Sequence, residues 1–434
     1  MTAVGTSWGR FPRAKQKVLV VHNRDQPFPR VDGYLLPYGN GRSYGDCCLN
    51  DSGTLLHTRR LDRFISFDPV RGVLCCEAGV LLSEILELCV PHGWFLPTSP
   101  GTQYVTLGGA IANDVHGKNH HMAGTFGCHV MRFELLRSDG RRLLCSPQEN
   151  SAWFTATIAG LGLTGLITWA EIQLKRIANP WLETETHRFS NLDEFFSLSE
   201  ASNRDYEYTV AWVDCAAKGK SVGRGLFMRG NHAPAGAAVP KGYGRRQWAM
   251  PVSPPVSLIT PLTLKAFNWL YYHRQRRPVA HAMSHYVPYF YPLDGIQNWN
   301  RIYGPRGFLQ YQCVIPSATA QAGITEIMQR VAASGKSSFL SVLKQFGDKV
   351  SPGLMSFPRL GTTLAMDFPN RGEATFRLLN ELDEVVANAG GAVYPAKDAR
   401  MSGKHYKQYF PDWLKFKDFV DPKFSSSFWR RVME

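Results

Sequence analysis

The sequence predicts an α+β protein made of two units, and three observations support this. Up to about residue 175, short strands and short helices are separated by glycine-rich loops. From about residue 179, strands alternate with longer amphipathic helices, which is typical of a sheet covered by helices on one face. The chain has 434 residues, 44% hydrophobic and 19% charged, so both units can bury a core.

Apolar periodicity and turn residues define the elements of the first unit. Leu81, Ile85 and Leu88 recur at helical spacing, and the turn residues 138–140 separate the two strands of a hairpin. The predicted elements are short strands within residues 55–77, a helix over 80–90, a hairpin over 130–145, a helix over 151–158 and a strand over 165–174.

The same signals define the second unit. Ile324, Ile327 and Val331 mark one apolar helical face, and a similar stripe runs through residues 378–389. The predicted elements are helices over 191–202, around 324–331 and over 378–389, and strands over 208–213, 307–315, 338–345 and 362–367. The tail from Gly390 onward is basic and aromatic, and we expect it to return to the first unit.

Two glycine-rich loops carry the functional signal. Residues 97–129 hold six glycines and four histidines, with Asp114 and Lys118 as the two charged residues. Residues 37–46 place glycines at 39, 41 and 45, which is not the G-x-G-x-x-G dinucleotide pattern. Successive backbone N–H groups in such loops bind anions, and a helix over 108–113 would point its N-terminus at a phosphate. Together the loops predict a pyrophosphate held between two backbone cradles; a buried turn is the alternative for the longer loop.

Composition limits the classes of binding partner and the cellular compartment that we expect for this protein. The chain has 49 Lys and Arg against 35 Asp and Glu, a net charge of +14 that favours an anionic partner. No DNA-binding motif is present, so we do not expect nucleic acid. Nine cysteines without a C-x-x-C pair predict reduced thiols and no metal site. With no signal-peptide pattern and no long apolar run, we expect a protein that is cytoplasmic or peripheral at the inner membrane.

Residues 216–278 differ in amino-acid composition from both units. Basic residues precede a proline-rich stretch and the apolar string SLITPLTLKAFNWLYYHRQRR. Aromatic and aliphatic residues beside arginines suit a segment at a membrane interface. A mobile loop followed by a buried helix is the alternative, although Pro261 counts against a helix. The basic residues include Arg224, Arg229, Lys241, Arg245 and Arg246.

Several strings resemble the decaprenylphosphoryl-β-D-ribose oxidases, FAD flavoenzymes of the vanillyl-alcohol oxidase type. They are GNGRSYGD, SPGTQYVTLGGAIANDVHGKNHHMAGTFG, GLGLTGLI, FLQYQCVIP, SFLSVLKQFG and YPAKDAR. The resemblance runs from about Tyr34 to the C-terminus. It implies a PCMH-type FAD-binding domain from residues 1–180 and 392–434. It also implies an inserted α+β substrate domain over 181–391, with an antiparallel sheet covered by helices and a mobile or membrane-proximal loop over 216–278.

The resemblance also implies the residues that hold FAD. Arg42 stands where some relatives carry a histidine that links covalently to the flavin, so we expect FAD to be non-covalent here. The implied cofactor-binding residues are Gly39, Asn40, Gly41, Arg42, Ser43, Tyr44, Pro100, Gly101, Thr102, Thr106, Gly108, Gly109, Ala110, Asn113, His116, Gly117, Asn119, His120, Gly124, Gly165, Ile167, Tyr394 and Ala396.

The implied reaction is oxidation of the C2 hydroxyl of a polyprenyl-phosphate ribofuranose to a ketone, after which a short-chain reductase completes the epimerisation to arabinose. The implied catalytic residues are Lys397, Tyr44 and His116, with Lys397 either a base or a cation that stabilises reduced flavin. The implied substrate-binding residues are Gln310, Gln312, Lys344, Thr363, Ala365 and Tyr291.

Two pocket positions depart from the family pattern and keep other functions open. Ala365 stands where the family has a cysteine, and Thr363 where it has an asparagine. A thiol is therefore not needed for the implied chemistry, but the exact substrate stays open. The alternatives are a soluble aldonolactone or sugar-alcohol oxidase on the same fold, and a non-catalytic scaffold that binds flavin or lipid.

Overall fold

The computed structural model describes residues 4–240, 242–244, 248–336 and 338–434. The strands within these ranges are β1 Lys17–Val20, β2 Leu35–Tyr38, β3 Thr54–His57, β4 Phe64–Asp68, β5 Val73–Glu77, β6 Trp94–Phe95, β7 Val130–Leu136, β8 Arg142–Cys145, β9 Leu166–Gln173, β10 Lys175–Arg176, β11 Trp181–Phe189, β12 Tyr208–Val213, β13 Gly225–His232, β14 Trp248–Ala249, β15 Val279–His285, β16 Ile296–Gln297, β17 Phe308–Pro316, β18 Ser341–Phe346, β19 Gly361–Pro369 and β20 Ala392–Val393. The α-helices are α1 Leu82–Cys89, α2 Leu107–Ala112, α3 His120–Ala123, α4 Ser151–Thr157, α5 Leu192–Ser202, α6 Pro261–His273, α7 Tyr286–Phe290, α8 Ala320–Ser334, α9 Glu373–Asn388, α10 Gly403–Tyr409, α11 Trp413–Lys417 and α12 Ser427–Met433.

The first unit contains a five-stranded antiparallel sheet in the order β4-β5-β9-β7-β8 and a three-stranded parallel sheet, β1-β3-β2. The apolar face of α1 and the short helix α2 pack on the five-stranded sheet, where Leu86, Ile111 and Phe133 share one buried cluster. The predicted helix over 80–90, the hairpin over 130–145 and the strand over 165–174 are confirmed.

The second unit contains an eight-stranded antiparallel sheet in the order β15-β11-β13-β12-β18-β19-β17-β20. Helices α5, α8 and α9 pack on one face, where Ile327, Leu364 and Leu382 share one buried cluster. The expected sheet covered by helices on one face is confirmed. Because successive side chains of a strand point to opposite faces, the other residues of β17, β18 and β19 face the first unit.

The expectation of one loop over residues 216–278 is wrong. Strand β13 lies inside the sheet between β11 and β12. Its polar residues hid it from sequence reading, but they have cross-strand partners: Arg229 Nη2 donates to Glu185 Oε2 at 2.6 Å. The other basic residues of this segment include Lys241, Arg245 and Arg246, which lie outside the described residues.

Helix α6 begins at Pro261, which sequence reading had counted against a helix. Proline is favourable at the first helical position, where its missing N–H needs no partner. Thr260 caps the helix by accepting from the Thr263 N–H at 3.2 Å. Only a narrow stripe, centred on Leu264, Asn268 and Tyr272, is buried. Most of the remaining surface of the helix is exposed.

The tail returns to the first unit, as expected. Leu35 N–H donates to the Lys423 carbonyl at 2.7 Å, and Ser425 N–H donates to the Leu35 carbonyl at 3.0 Å. We propose to group residues 1–180 with 392–434 as one domain and 181–391 as the other, because these contacts join the tail to the first unit. Within the described residues, no helix is long and apolar enough to cross a bilayer.

Candidate active site

A cavity of about 700 Å³ lies between the glycine loops of the first unit and the uncovered face of the eight-stranded sheet. This volume is within the range of ligand-binding pockets. Its wall includes both glycine loops at one end and Lys397, Gln310 and Gln312 in the middle. The fold therefore brings three motifs to one site. Two are the glycine loops, about sixty residues apart in the sequence, and the third is the C-terminal segment that carries Lys397.

Backbone donors in the two glycine loops point to an anion. Within the described residues, no protein acceptor takes the N–H groups of Asn40, Gly41 and Ser43, nor those of Gly101 and Thr102. Unpaired backbone N–H groups of this kind form a concave anion site. The donor set suits a pyrophosphate better than a metal ion, since N–H groups bind anions.

The two loops approach so closely that glycine is required. A Cβ on Gly39 would lie 2.4 Å from Thr106 Oγ1 of the other loop, and Gly41 has a φ of +60°. Asn40 Nδ2 donates to the Tyr104 carbonyl at 2.7 Å and holds the loops together. Side chains larger than hydrogen at these glycines would separate the loops or fill the space for the ligand.

Most of the cofactor residues implied by resemblance lie on the cavity wall. They are Gly39, Asn40, Gly41, Arg42, Ser43, Tyr44, Pro100, Gly101, Thr102, Thr106, Gly108, Gly109, Asn113, His116, Gly117, Gly165, Ile167, Tyr394 and Ala396. The implied substrate and catalytic residues on the wall are Tyr44, His116, Gln310, Gln312, Lys344, Thr363, Ala365 and Lys397. This wall fits an extended cofactor with a pyrophosphate near its middle.

Five predicted contact residues lie behind the wall instead of on it. Asn119 Nδ2 donates to the Pro97 carbonyl at 2.8 Å, and the His120 ring packs 4.4 Å from the ring of Phe346. These side chains are committed to holding the loop, so they are not free to contact a ligand. The five residues are Ala110, Asn119, His120, Gly124 and Tyr291.

Lys397 and Tyr44 form the centre of the cavity. Lys397 Nζ lies 3.8 Å from the centroid of the Tyr44 ring. Burial lowers the pKa of Lys397; Asp367 opposes this effect and Lys344 adds to it. Burial also raises the pKa of Tyr44, so its hydroxyl keeps its proton. A lysine with a lowered pKa can accept a proton near neutral pH.

His116 is held in one tautomer by a chain of hydrogen bonds. Thr363 Oγ1 donates to the Cys313 carbonyl at 2.8 Å, so it accepts from Gln312 Nε2 at 3.3 Å. Gln312 Nε2 also lies 2.9 Å from His116 Nε2, which must then be the acceptor. Burial lowers the pKa of His116 well below its usual range. The neutral ring therefore carries its proton on Nδ1.

Sequence reading missed Asp367, which lies directly behind the centre. It pairs with Gln310 across β19 and β17, and Gln310 Nε2 donates to Asp367 Oδ1 at 2.5 Å. Burial raises the pKa of Asp367, while Gln310 and Lys397 oppose that shift. The signal was present, because Thr363, Ala365 and Asp367 alternate along one strand and share a face.

Two further lysines lie beside the centre. Lys344 Nζ donates to the Gly117 carbonyl at 3.3 Å, and burial lowers its pKa to about 8. Lys118, which sequence reading did not select, donates to the carbonyls of Tyr289 at 2.5 Å and Phe290 at 3.3 Å. Burial lowers the pKa of Lys118 to about 7. Neither lysine forms an ion pair with a carboxylate among the described residues, so both can serve an anionic ligand.

The comparisons with known proteins agree with this geometry. Residues 32–146, which include both glycine loops, match the FAD binding domain family. Together with the backbone cradle, this match defines the chain as an FAD-binding flavoprotein with a PCMH-type domain.

The relatives define the family more narrowly. The decaprenylphosphoryl-β-D-ribose oxidase of Mycolicibacterium smegmatis is 34% identical over 412 residues, which cover 92% of this chain and 89% of that protein. A Streptomyces coelicolor protein without an assigned activity is 34% identical over 81% of this chain and all of its own length. Mouse L-gulonolactone oxidase is 30% identical over 37% of each chain. The chain belongs to the decaprenylphosphoryl-β-D-ribose oxidase family and is an FAD-dependent oxidoreductase.

The flavin is expected to be released when the protein is denatured. The guanidinium carbon of Arg42 lies 4.4 Å from the centroid of the Trp8 ring, and an arginine does not form the histidyl bond to flavin. Precipitating the purified yellow protein with acid should leave all the flavin absorbance in the supernatant. Flavin that stays in the washed precipitate would contradict this prediction.

Proposed function

We propose that this enzyme oxidises the C2 hydroxyl of a polyprenyl-phosphate-linked ribofuranose to the 2-keto sugar. One observation carries the proposal: a single cavity joins the FAD cradle, the Lys397–Tyr44 centre and the amides of Gln310 and Gln312. The name of the mycobacterial relative supports the choice of sugar.

The two glycine loops would hold FAD, which would supply the two-electron acceptor for the hydride of the sugar C2. Lys397, in its neutral form, accepts the proton of the C2 hydroxyl, so that the carbon–oxygen single bond becomes a ketone. Tyr44 keeps its proton and supports the lysine through its ring face. His116 accepts a hydrogen bond from Gln312 Nε2 and so holds the orientation of this amide on the wall that faces the sugar.

Substrate charge and polarity match the wall around this centre. Gln310 and Gln312 lie two residues apart on β17 and present amides to the sugar hydroxyls. Lys344 and Lys118 line the wall without carboxylate partners among the described residues, and a sugar phosphate beside them would favour their charged forms.

The test is anaerobic mixing of the oxidised enzyme with polyprenyl-phosphoryl ribose, followed by the visible flavin absorbance. Bleaching with this lipid and not with soluble ribose phosphate supports the proposal. Bleaching by an aldonolactone or sugar alcohol would favour the soluble oxidase. A flavin that no alcohol reduces would favour a non-catalytic scaffold.

We propose a peripheral membrane contact through the segment that contains α6. Between Asp214 and Asp294 the sequence has no acidic residue and eleven basic ones. Of the exposed large hydrophobic residues, ten lie between Val239 and Leu270. Trp269 is 55% and Leu270 is 62% exposed. Arg224 and Arg229 pair with Asp214 and Glu185, and the segment keeps an excess of positive charge. Exposed apolar side chains beside such an excess suit an anionic lipid surface.

Replacing Leu270 with aspartate is expected to weaken binding to vesicles of anionic phospholipid by about tenfold, since an apolar contact is lost and a repelled charge is added. Leu414→Asp is the matched control, because Leu414 is 60% exposed on α11, outside this segment. Co-sedimentation with vesicles measures both variants. Equal binding by wild type and both variants would contradict the membrane proposal.

The product of the proposed reaction needs a second enzyme. A 2-keto sugar has lost the stereocentre at C2, so reduction from the opposite face is required to reach the arabinose form. We propose that a short-chain reductase carries out this step on the lipid-linked ketone.

A further inference from the structure

We propose that the uncovered face of the sheet from β18 to β15 is a channel for the prenyl chain of the substrate. This inference rests on the proposed function and deepens it. The sugar end of the cavity is fixed by Lys397, Gln310 and Gln312, and the channel is the remaining arm of the same cavity.

The register of the strands gives the course of the channel. Val342 pairs with Trp212, Val210 pairs with Met228, and Met228 pairs with Thr186. All of these side chains lie on the cavity wall. From β18 through β12, β13 and β11 to β15 there are four strand spacings, a path of ~19 Å at ~4.8 Å each. A sugar alone does not need an arm of this length.

Helix α6 forms one side wall of the channel. The Tyr271 ring lies 4.6 Å from the Trp212 ring, and the Arg274 guanidinium carbon lies 3.8 Å from the centroid of the Tyr271 ring. Tyr271 and Arg274 both line the cavity, and so does Pro288 of α7. The channel opens where Arg274, Ala282 and Pro288 are exposed.

The charges along the cavity match the order of groups in a lipid-linked sugar. Lys344 pairs with Thr363 of β19, and the Lys118 carbonyl accepts from the Thr209 N–H of β12, so both lysines lie on the wall where the phosphate would follow the sugar. Beyond them, the described wall residues of this arm are uncharged as far as Arg274 at the mouth. The floor carries the hydroxyls of Thr184, Thr186 and Ser284 among apolar side chains and has no carboxylate. Such an arm is suited to an isoprenoid chain and not to a second sugar.

The mouth lies beside the exposed face of α6. Tyr271 and Arg274 line the channel, while Leu262, Trp269 and Leu270 of the same segment are exposed. A lipid that leaves a bilayer touching this face would enter the channel without its prenyl chain crossing water. Helix α6 thus contributes one face to the proposed membrane contact and another face to the proposed channel.

The test measures KM and kcat for a series of phosphoryl-ribose esters of increasing prenyl length in detergent micelles. For the wild-type enzyme, KM should fall with each added isoprene until the chain reaches the mouth, and then stay constant. Met228→Asp places a charge in the channel and should raise KM for long esters by about tenfold or more. The rise in KM should shrink as the ester is shortened, because a short prenyl chain does not reach Met228.

Met131→Asp is the matched control, because Met131 is 40% exposed on β7 of the other sheet and does not line the cavity. Ala282→Trp, which narrows the mouth on an edge strand, gives a second variant if Met228→Asp does not fold. A KM that is independent of prenyl length, or equal for both aspartate variants, would overturn the channel and leave the proposed function intact. Failure of every ester to bleach the wild-type flavin would overturn both.

Discussion

Replacing Lys397 with alanine should lower the rate of flavin reduction by about 10²–10⁴-fold, the range typical of losing a positioned general base. FAD should remain bound, because its predicted cradle is formed by backbone N–H groups of loops 37–46 and 97–129. Stopped-flow reduction under anaerobic conditions measures the rate, and the visible flavin spectrum measures occupancy. Lys404→Ala, a substitution at an exposed lysine of α10, should leave both unchanged.

The pH dependence distinguishes the two roles of Lys397. A base acts as the neutral amine, so the rate should rise with pH through the pKa of Lys397, which burial lowers. A cation that stabilises reduced flavin would give the opposite slope, with the rate falling as the ammonium loses its proton. Lys397→Arg keeps the charge and cannot accept a proton. High activity in the arginine variant would therefore contradict the role as base.

The sequence was most informative where the backbone itself makes the site. The glycines at 39, 41 and 101 mark loops whose N–H groups face the cavity, and local composition reveals such loops. Lys397 was found only through the string YPAKDAR, since a single lysine is usually a solvated side chain.

Residues that depend on strand register were harder to find. Asp367 matters because β19 pairs with β17 and places it opposite Gln310, and a single sequence does not reveal that pairing. Lys118 was missed because its partners are backbone carbonyls of α7, about 170 residues away. Strand β13 was missed because Arg229 breaks its apolar alternation, and its ion pair with Glu185 on the neighbouring strand is visible only in the fold.

The C-terminal helix α12 joins the two segments that carry Tyr44 and Lys397. Arg431 donates to both oxygens of Asp46, at 2.9 and 2.7 Å, and to Asp398 Oδ2 at 2.9 Å. Asp46 ends the first glycine loop, and Asp398 directly follows Lys397. Both carboxylates are almost fully buried. One guanidinium therefore holds the loop and the catalytic segment in a fixed relation.

Replacing Arg431 with alanine should cost about 3–5 kcal/mol of unfolding free energy, because two buried carboxylates lose their counter-ion. Urea unfolding at neutral pH measures the loss, and FAD affinity should fall with it. Arg430→Ala is the matched control. Arg430 donates to the oxygens of Asn50 and Asp51 and lies 5.9 Å from the centroid of the Tyr34 ring, but it pairs with no buried carboxylate among the described residues and should cost much less.

The effect of pH on the Arg431 variant follows from Asp46. Burial already raises the pKa of Asp46 in the wild type, and Arg431 opposes that shift. Without Arg431 the folded-state pKa rises further above the unfolded value, so the folded variant binds the proton more tightly than the unfolded chain does. The stability deficit is therefore largest above that raised pKa and shrinks as the pH falls through it. A deficit that grows on acidification, or that Arg430→Ala equals, would show that α12 acts by packing alone and not through this ion pair.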